Sequence, residues 1–460
     1  MDLYRSTFGG LLLLNSVVLY RSWRAKPTCV PDSPTASEKV EHRGREDNDR
    51  ELVQRLKWKF LPVYLLVNGA DWLQGPYIYP IYKDEKGLAE SLVALLFMVG
   101  FLSGGVSASF AGTFADRFGR KAACLAYCVI YSCSCLTLLT DNIMILFLGR
   151  VLGGMSGTLL YSVFESWLVA EFNGLMLDDQ SGTILSGIFS KMTMLNSVVA
   201  IMAGILAEWL VGSTGTAKAP FMASMACLSL AFVTISKTWA ENYGTREDGP
   251  GESASLLAEE GQNESVPSKS VVKLILSDKN ISTLALTSCF FEGSLFLFIF
   301  FKFPALKLTH EMSGATGDLP FGLIFAILMC SMMFGSQVYN NIIANATTPA
   351  KHILVGTLGA ASLCFFLPAY VREESITLWS FCIFEVCCGV YFPAMASLRG
   401  KLIEDGSRAS VYGILRVPLN AFVVLALSMT KEGEHHRNTV FTLCSGLLLL
   451  AALVVHRVLA

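Results

Sequence analysis

Charged side chains interrupt the long apolar stretches of this 460-residue sequence. A charge inside a hydrocarbon layer costs about 2.5–3.5 kcal/mol, so a residue that keeps one there is a candidate for ligand binding or proton transfer. Both signs of charge are present, which allows ion pairs, proton carriers and ligands for small ions. The residues are Asp71, Arg150, Glu165, Lys191, Glu208, Glu292, Glu385 and Arg416.

Two of the cations occupy equivalent positions in two similar stretches. Lys191 ends the run 187–191 and Arg416 ends the run 413–416, and an asparagine follows each, Asn196 and Asn420. Two cations that converge from opposite halves of a protein suit a small dianion, because they offset both of its charges without a metal. The amides and Ser190 add hydrogen-bond donors, so these residues are substrate-binding candidates. The alternative is a structural pair with an acid such as Asp71, Glu292 or Glu385.

Asp71 and Gln74 open the stretch 71–79, in which Trp72, Gly75 and Pro76 interrupt helical regularity. The pattern predicts an irregular segment that lines a cavity, and Asp71 and Gln74 join the substrate-binding candidates. A buried carboxyl group can also take up and release a proton. A simple ion pair of Asp71 is the alternative.

Three further residues join Asp71 as candidates for coupling or gating. Glu292 occupies in the second half the place that Asp71 has in the first, and Arg150 and Glu385 each precede a glycine by four residues. A structural pair or helix packing is the alternative for each of them. Structural roles are expected for two acids near the ends of apolar stretches, Glu165 and Glu208.

The composition indicates a membrane protein. Hydrophobic residues make up 53% of the chain and charged residues 16%, whereas soluble domains average about 45–50% and about 25%.

The net charge of −2 argues against nucleic-acid binding. No nucleophile–base set or phosphate-binding loop points to an enzyme. The 13 cysteines lack the spacing of a metal site, and we expect no cofactor.

Apolar stretches of about 18–25 residues, each long enough to cross a bilayer, divide the chain into segments. We predict an all-α polytopic membrane protein of two six-helix bundles around a central cavity, plus one extra N-terminal transmembrane helix. The segments are the extra helix at 1–22, a linker at 23–57, a first bundle at 58–238, a central loop at 239–279 and a second bundle at 280–460. The twelve core spans lie at about 58–82, 89–110, 122–140, 143–168, 183–211, 218–237, 280–302, 320–343, 351–370, 375–397, 408–429 and 438–457.

Lys and Arg are concentrated on the linker and on the loops of the same side, which places the linker and the central loop in the cytosol. The extra helix is followed rather than preceded by positive charge, so we expect it to be retained and not cleaved as a signal peptide. Aromatic residues near the ends of spans are typical of interfacial belts; they are Tyr82, Trp167, Trp209 and Trp239.

The stretch GTFADRFGRK at 112–121 stands between the second and third spans. It resembles the signature loop of the major facilitator superfamily, whose members transport solutes through two six-helix bundles. In this loop Asp116 can pair with a basic group and cap a neighbouring helix, and the glycines permit a tight turn. The defining positions are Gly112, Asp116, Arg117, Gly119, Arg120 and Lys121.

Five other stretches are similar to the molybdate-anion transporter group of that superfamily: 70–77, 164–167, 239–243, 388–393 and 413–419. The resemblance implies import of molybdate, a small inorganic anion, by alternating access, with proton coupling left open. Lys191 stands where the group implies arginine, so the charge is kept and the two-pronged grip is lost. The alternatives are another small anion or a metabolite as substrate, or a non-transporting nutrient sensor. We expect a monomer in the plasma membrane.

Overall fold

The computed structural model describes residues 2–24, 38–175, 183–243, 277–314, 317–345, 349–402, 408–428, 430 and 433–459. The described residues are almost entirely helical. The helices, in chain order, are α1 (Asp2–Arg24), α2 (Glu38–Gln74), α3 (Ile78–Pro80), α4 (Glu90–Ser107), α5 (Ala111–Phe118), α6 (Arg120–Thr137), α7 (Ile143–Gly174), α8 (Thr183–Thr214), α9 (Ala219–Thr238), α10 (Lys279–Met312), α11 (Phe321–Asn345), α12 (Ala350–Tyr370), α13 (Glu374–Leu402), α14 (Arg408–Ser428) and α15 (Glu434–Val458).

Nine helices of the described chain are long and apolar enough to cross a membrane: α4, α7, α8, α9, α10, α11, α12, α13 and α15. The other predicted spans also fall on helices. The extra span lies on α1, and the first, third and eleventh core spans begin on α2, α6 and α14. Of α14, the segment Pro418–Ser428 is apolar but shorter than a span. The predicted all-α polytopic architecture is confirmed.

The chain forms two compact units. The C unit comprises residues 1–18, 82–98 and 247–460, and the N unit comprises residues 19–81 and 99–246. The N-terminal part of α1 therefore belongs with the C-terminal half of the chain. The bundle boundaries derived from the sequence stay a prediction.

Stacked aromatic rings form the centre of the N unit. The ring centroids of Trp167 and Trp239 lie 3.8 Å apart, and Phe60 stacks on both. The prediction that these two tryptophans belong to interfacial belts is wrong, because both are buried, and Tyr82 in the C unit is buried as well. Trp209 is 63% exposed. Burial of large aromatic surfaces is the main stabilising contribution of such rings.

Close helix contacts in each unit depend on a glycine. In the N unit, a Cβ on Gly154 would lie 2.9 Å from the backbone nitrogen of Gly104. In the C unit, a Cβ on Gly389 would lie 2.8 Å from the nitrogen of Ser336 and 3.0 Å from the Cα of Gly335. Small residues let helix backbones approach in a membrane, where packing replaces the hydrophobic effect as the driving force.

Polar contacts fasten α1 to the C unit. The amide nitrogen of Asn15 donates to the carbonyl oxygen of Cys330 at 3.1 Å, and the amide nitrogen of Gln337 donates to Asn15 Oδ1 at 2.9 Å. Near the start of α1, the Tyr4 hydroxyl donates to Glu374 Oε1 at 2.6 Å. Tyr4 and Asn15 are buried, so α1 is an integrated helix of the C unit and not a peripheral anchor.

Candidate functional site

Asp71 lies near the end of α2, where the helix becomes irregular. Helix α2 ends at Gln74, and residues 75–77 form turns before the single turn of α3 and a π-helical segment at 81–85. This confirms the irregular stretch predicted from Gly75 and Pro76. The Tyr131 hydroxyl donates to Asp71 Oδ1 at 2.6 Å, and Tyr161 interacts electrostatically with the carboxylate. Both partners are neutral.

Gln74 is buried beside Asp71 in the N unit. Its amide nitrogen donates to the carbonyl oxygen of Ala70 at 3.3 Å. This bond lies within the last turn of α2. A role of Gln74 in substrate binding stays a prediction.

Lys191 and Asn196 lie on α8 of the N unit. Lys191 is exposed, and in the part of the chain that the structure describes no acidic group lies within ion-pair distance of it. The predicted alternative in which Lys191 pairs with Asp71 is therefore not formed. Asn196 Oδ1 accepts a hydrogen bond from Trp72 Nε1 at 2.8 Å, which ties α8 to α2. Ser190 is exposed next to Lys191.

Arg416 and Asn420 lie on α14 of the C unit. The side chain of Arg416 falls outside the described residues, so its role as an anion ligand stays a prediction. Asn420 is half-buried, and Pro418 lies inside the helix with its ring exposed. An internal proline removes one backbone hydrogen bond and kinks a helix.

Glu292 binds a cation that the sequence analysis missed. Arg399 Nη2 lies 3.0 Å from Glu292 Oε1 and also contacts Ser288 Oγ. The Tyr391 hydroxyl donates to the same carboxylate oxygen at 3.2 Å. The sequence did not indicate Arg399 as a site residue, because the tenth span was predicted to end at 397, whereas α13 continues to Leu402.

Glu385 shares the interior of the C unit with a second missed cation, Lys302. Glu385 is 4% exposed and Lys302 is 5% exposed, and the two charges interact electrostatically. The ammonium group of Lys302 lies 5.6, 5.2 and 5.5 Å from the ring centroids of Phe298, Phe303 and Phe325. Aromatic faces attract cations at such distances. Phenylalanine on both sides of Lys302 in the sequence is the signal that could have found this cage.

The remaining charged candidates have local partners or line a surface cavity. The guanidinium group of Arg150 packs over Gly100, where a Cβ would lie 3.0 Å from its central carbon. Glu208 accepts a hydrogen bond from the Tyr77 hydroxyl at 2.8 Å. Glu165 lines a cavity of about 520 Å³ in the N unit together with Arg120 of α6, Tyr243, Phe189 of α8 and other residues of α7.

The signature stretch forms α5 and the start of α6. Arg120 Nη2 lies 2.7 Å from Asp116 Oδ1, which confirms the predicted pairing. The cap of α6 comes from Glu241 and not from Asp116. Its carboxylate accepts from the backbone nitrogens of Lys121 and Ala122 at 2.7 and 3.1 Å. Gly119 permits the turn between the helices with φ of +107°. Gly112 lies inside α5 and Arg117 near its end.

Each unit thus holds one carboxylate on its first core helix with a tyrosine hydroxyl. Asp71 accepts a hydrogen bond from Tyr131 in the N unit, and Glu292 accepts one from Tyr391 in the C unit. They differ in charge balance, because Arg399 neutralises Glu292 and no cation contacts Asp71 among the described residues. Lys191, a predicted site cation, has no acidic group at ion-pair distance among the described residues and is therefore available to bind an anion.

Known proteins resemble the chain over most of its length. A family model described as sugar transporters with 12 transmembrane segments matches residues 36–380. A molybdate-anion transporter of Takifugu rubripes is 30% identical over 404 residues, which is 83% of this chain and 80% of that protein. A molybdate-anion transporter of Danio rerio is 30% identical over 434 residues, which is 87% of this chain and 86% of that protein.

Solved structures resemble the fold. A crystal structure of a D-xylose-proton symporter superposes with a TM-score of 0.63 at 14% identity and covers 87% of this chain and 98% of the symporter. Such a likeness concerns the architecture alone. With the helices, the signature stretch and these relatives together, the chain belongs to the twelve-span transporter family of the major facilitator superfamily that includes the molybdate-anion transporters, and it is a multi-pass membrane protein and not an enzyme.

Proposed function

We propose that this chain imports molybdate as a secondary active transporter. The observation that carries the proposal is the 30% identity to proteins named molybdate-anion transporters, which extends over 83–87% of the chain. Molybdate is a tetrahedral oxyanion with two negative charges. A site for it needs positive charge and several hydrogen-bond donors.

Lys191 supplies the charge in this proposal. Its ammonium group is exposed and has no acidic partner among the described residues, so an anion does not have to displace one. Arg416, Asn196 and Asn420 are proposed as further ligands from the sequence. An ammonium group binds as a point charge, whereas a guanidinium group offers two parallel donors, so we expect a looser grip than an arginine would give at this position.

Alanine at position 191 is expected to lower the efficiency of molybdate uptake about 10- to 100-fold, because a hydrogen bond to a charged group contributes about 1.5–3 kcal/mol. Alanine at position 416 should act in the same direction. The measurement is uptake of labelled molybdate into transport-deficient cells, corrected for surface abundance. Lys237→Ala, which removes an exposed lysine at the end of α9, is the control and should match the wild type.

The same assay separates the competing functions. Competition by unlabelled sulfate, the other common tetrahedral dianion, measures selectivity. An unaltered uptake in both alanine variants would refute the anion site, and a wild type that moves no molybdate would refute the proposed function and favour a sensor. Efficient uptake that sulfate abolishes at equal concentration would assign a broader oxyanion substrate.

Asp71 is the proposed proton carrier. Its hydrogen-bond partner Tyr131 is neutral, so protonation of Asp71 leaves no cation without its counter-ion. Protonation of Glu292, in contrast, would leave Arg399 without one. We expect Asp71→Asn to abolish the acceleration of uptake by external acid and to leave exchange of labelled for unlabelled molybdate within about twofold, since a neutral amide mimics the protonated carboxyl. The acid response and the exchange rate are measured in the same vesicles. An intact acid response in the variant would exclude this role.

Location and assembly belong to the same proposal. We place the chain in the plasma membrane as a monomer. We place its central loop in the cytosol, because Lys and Arg are concentrated on that side. An epitope inserted at residue 260 should be reached by antibody only after permeabilisation. Access in intact cells would invert the proposed orientation.

A further inference from the structure

A cavity opens on the surface of the C unit, where α12 ends and α15 begins. It encloses about 470 Å³ and is lined by Tyr370 at the end of α12, by Arg372 just beyond it, and by residues of the first three turns of α15. Ligand sites typically enclose about 300–1,000 Å³. The predicted spans end at 370 and begin at 438, so the cavity lies at the boundary between water and lipid, on the side opposite to the central loop.

Two opposite charges meet in this cavity. Arg372 Nη2 lies 2.6 Å from Glu434 Oε1, and the two side chains are 54% and 29% exposed. A guanidinium group carries five N–H donors and a carboxylate accepts several hydrogen bonds, so their mutual contact leaves both groups able to bind further partners. The cavity therefore offers a ligand one accessible cation and one accessible anion.

The α15 side of the cavity presents hydrogen-bond acceptors. The Thr439 hydroxyl donates to the carbonyl oxygen of His435, and the Thr442 hydroxyl donates to that of Asn438, each at 2.8 Å. Because a hydroxyl has one proton, these two oxygens are left to accept from a ligand. The Asn438 amide nitrogen donates to Glu434 Oε1 at 3.3 Å, and its buried Oδ1 has no donor among the described residues. A ligand group with several N–H donors suits this side of the cavity.

Apolar side chains continue from the cavity along the surface of both helices. Leu363, Phe366 and Tyr370 are exposed on α12 at spacings of three and four residues, which places them on one side of the helix. The ring centroids of Phe366 and Tyr370 lie 4.6 Å apart. Leu443 and Leu450 are exposed on α15, which packs against α12. The polar cavity is thus continuous with apolar surface that hydrocarbon chains can cover.

We propose that this cavity binds the headgroup of an ethanolamine phospholipid in the leaflet opposite to the central loop. The phosphodiester group binds Arg372, because a guanidinium group matches phosphate oxygens in geometry and charge. The primary ammonium group donates to Glu434 and to the threonine oxygens, and the acyl chains lie along the exposed leucine and phenylalanine side chains. A choline headgroup has the same charges without an N–H donor, and a glycerol headgroup has no cation. The site holds a lipid whatever anion the protein transports.

The first test melts purified, delipidated protein in detergent with phosphatidylethanolamine, phosphatidylcholine or phosphatidylglycerol of the same acyl chains. A ligand of the folded state raises the melting temperature, and the wild type should gain most from phosphatidylethanolamine. Arg372→Gln should lose more than half of that gain. Glu434→Gln should lose the preference, so that phosphatidylglycerol stabilises this variant at least as well. Both variants should fold, since exposed ion pairs contribute little to stability.

The ion pair of Lys307 and Asp84 provides the matched control. Lys307 Nζ lies 2.7 Å from Asp84 Oδ1 in the same unit, and the pair is exposed to a similar degree. Neither residue lines the cavity. Lys307→Gln and Asp84→Asn should therefore keep the wild-type order of the three lipids.

The second test obstructs the path of the acyl chains. Gly446 is exposed on α15 between Leu443 and Leu450, and a Cβ there would meet no atom within 4 Å. In Gly446→Trp the ring extends towards the start of the helix, and hence towards the cavity. This variant should melt as the wild type does without lipid and lose most of the gain from phosphatidylethanolamine. Glycerophosphoethanolamine, which is the headgroup without acyl chains, should give no shift at the same concentration.

The results decide between a specific lipid site and simpler explanations. Equal gains from the three lipids in the wild type would refute recognition of the headgroup, and an undiminished ethanolamine gain in Arg372→Gln would refute this cavity as its site. Loss of the lipid order in Lys307→Gln as well would assign the effect to general surface charge. A full shift with the soluble headgroup would make a water-soluble phosphoester the ligand and overturn the lipid.

Discussion

Replacing Glu385 with Gln, or Lys302 with Met, is expected to remove most of the folded transporter, and combining the two replacements is expected to restore it. Both residues are buried in the C unit, and their opposite charges attract each other without a direct ion pair. Removal of one partner leaves an uncompensated charge in a medium of low dielectric constant, which costs about 3–5 kcal/mol. Removal of both leaves two neutral groups of similar volume. The methionine side chain of the Lys302→Met variant is expected to pack among the same phenylalanine rings.

The measurement is the yield of monodisperse protein in detergent and its melting temperature. Glu373→Gln removes an exposed carboxylate just before the start of the same helix as Glu385 and should behave as the wild type. Single variants as stable as the wild type would show that the two charges do not depend on each other. A double variant as poor as the single ones would show that the pair has a role beyond charge balance.

Leucine at position 154 is expected to destabilise the N unit by about 3 kcal/mol, at the upper end of the usual effect of overpacking. The Cβ alone would lie 2.9 Å from the backbone nitrogen of Gly104. Backbone atoms cannot rotate away as a side chain can, so the two helices must separate along their contact. Melting temperature and molybdate uptake should fall together, because the contact joins helices of the same unit.

Gly157 provides the matched control, since it lies three residues further along α7 and a Cβ there would meet no atom within 4 Å. Gly157→Leu should leave melting temperature within the error of the measurement. Equal losses in both variants would assign the effect to helix propensity or lipid contact and not to the glycine contact.

The sequence predicted the elements well because the signals are strong and local. Apolar runs long enough to cross a bilayer gave spans that fall on helices, and the signature stretch at 112–121 gave the superfamily. Charge inside an apolar run also identified Asp71 and Glu292, whose side chains form specific contacts in the structure, and Glu385, which interacts electrostatically with Lys302. The cost of a charge in hydrocarbon makes such residues visible without any knowledge of tertiary structure.

The partners of these acids were not predictable for a definite reason. A hydropathy window places the end of a span where the apolar residues stop. Arg399 lies beyond the predicted end of the tenth span, and Lys302 lies at the predicted end of the seventh. The helices continue past both. Trp167 and Trp239 were misplaced for a related reason, since composition near a span end does not reveal which side of the helix is buried. The Glu241 cap joins segments 120 residues apart, which no local pattern indicates.

Helix α1 is made long before its partners exist. Its Asn15 and Tyr4 bond residues 322 and 370 positions later in the chain. At a synthesis rate of about 5–20 residues per second, more than 300 residues take about 15–60 s. During that time Asn15 has neither Gln337 nor Cys330 to bond, and Arg21 and Arg24 at the end of α1 are the groups that can hold its orientation. The C unit can therefore complete its assembly only when α1, the first helix made, meets partner helices that are made much later.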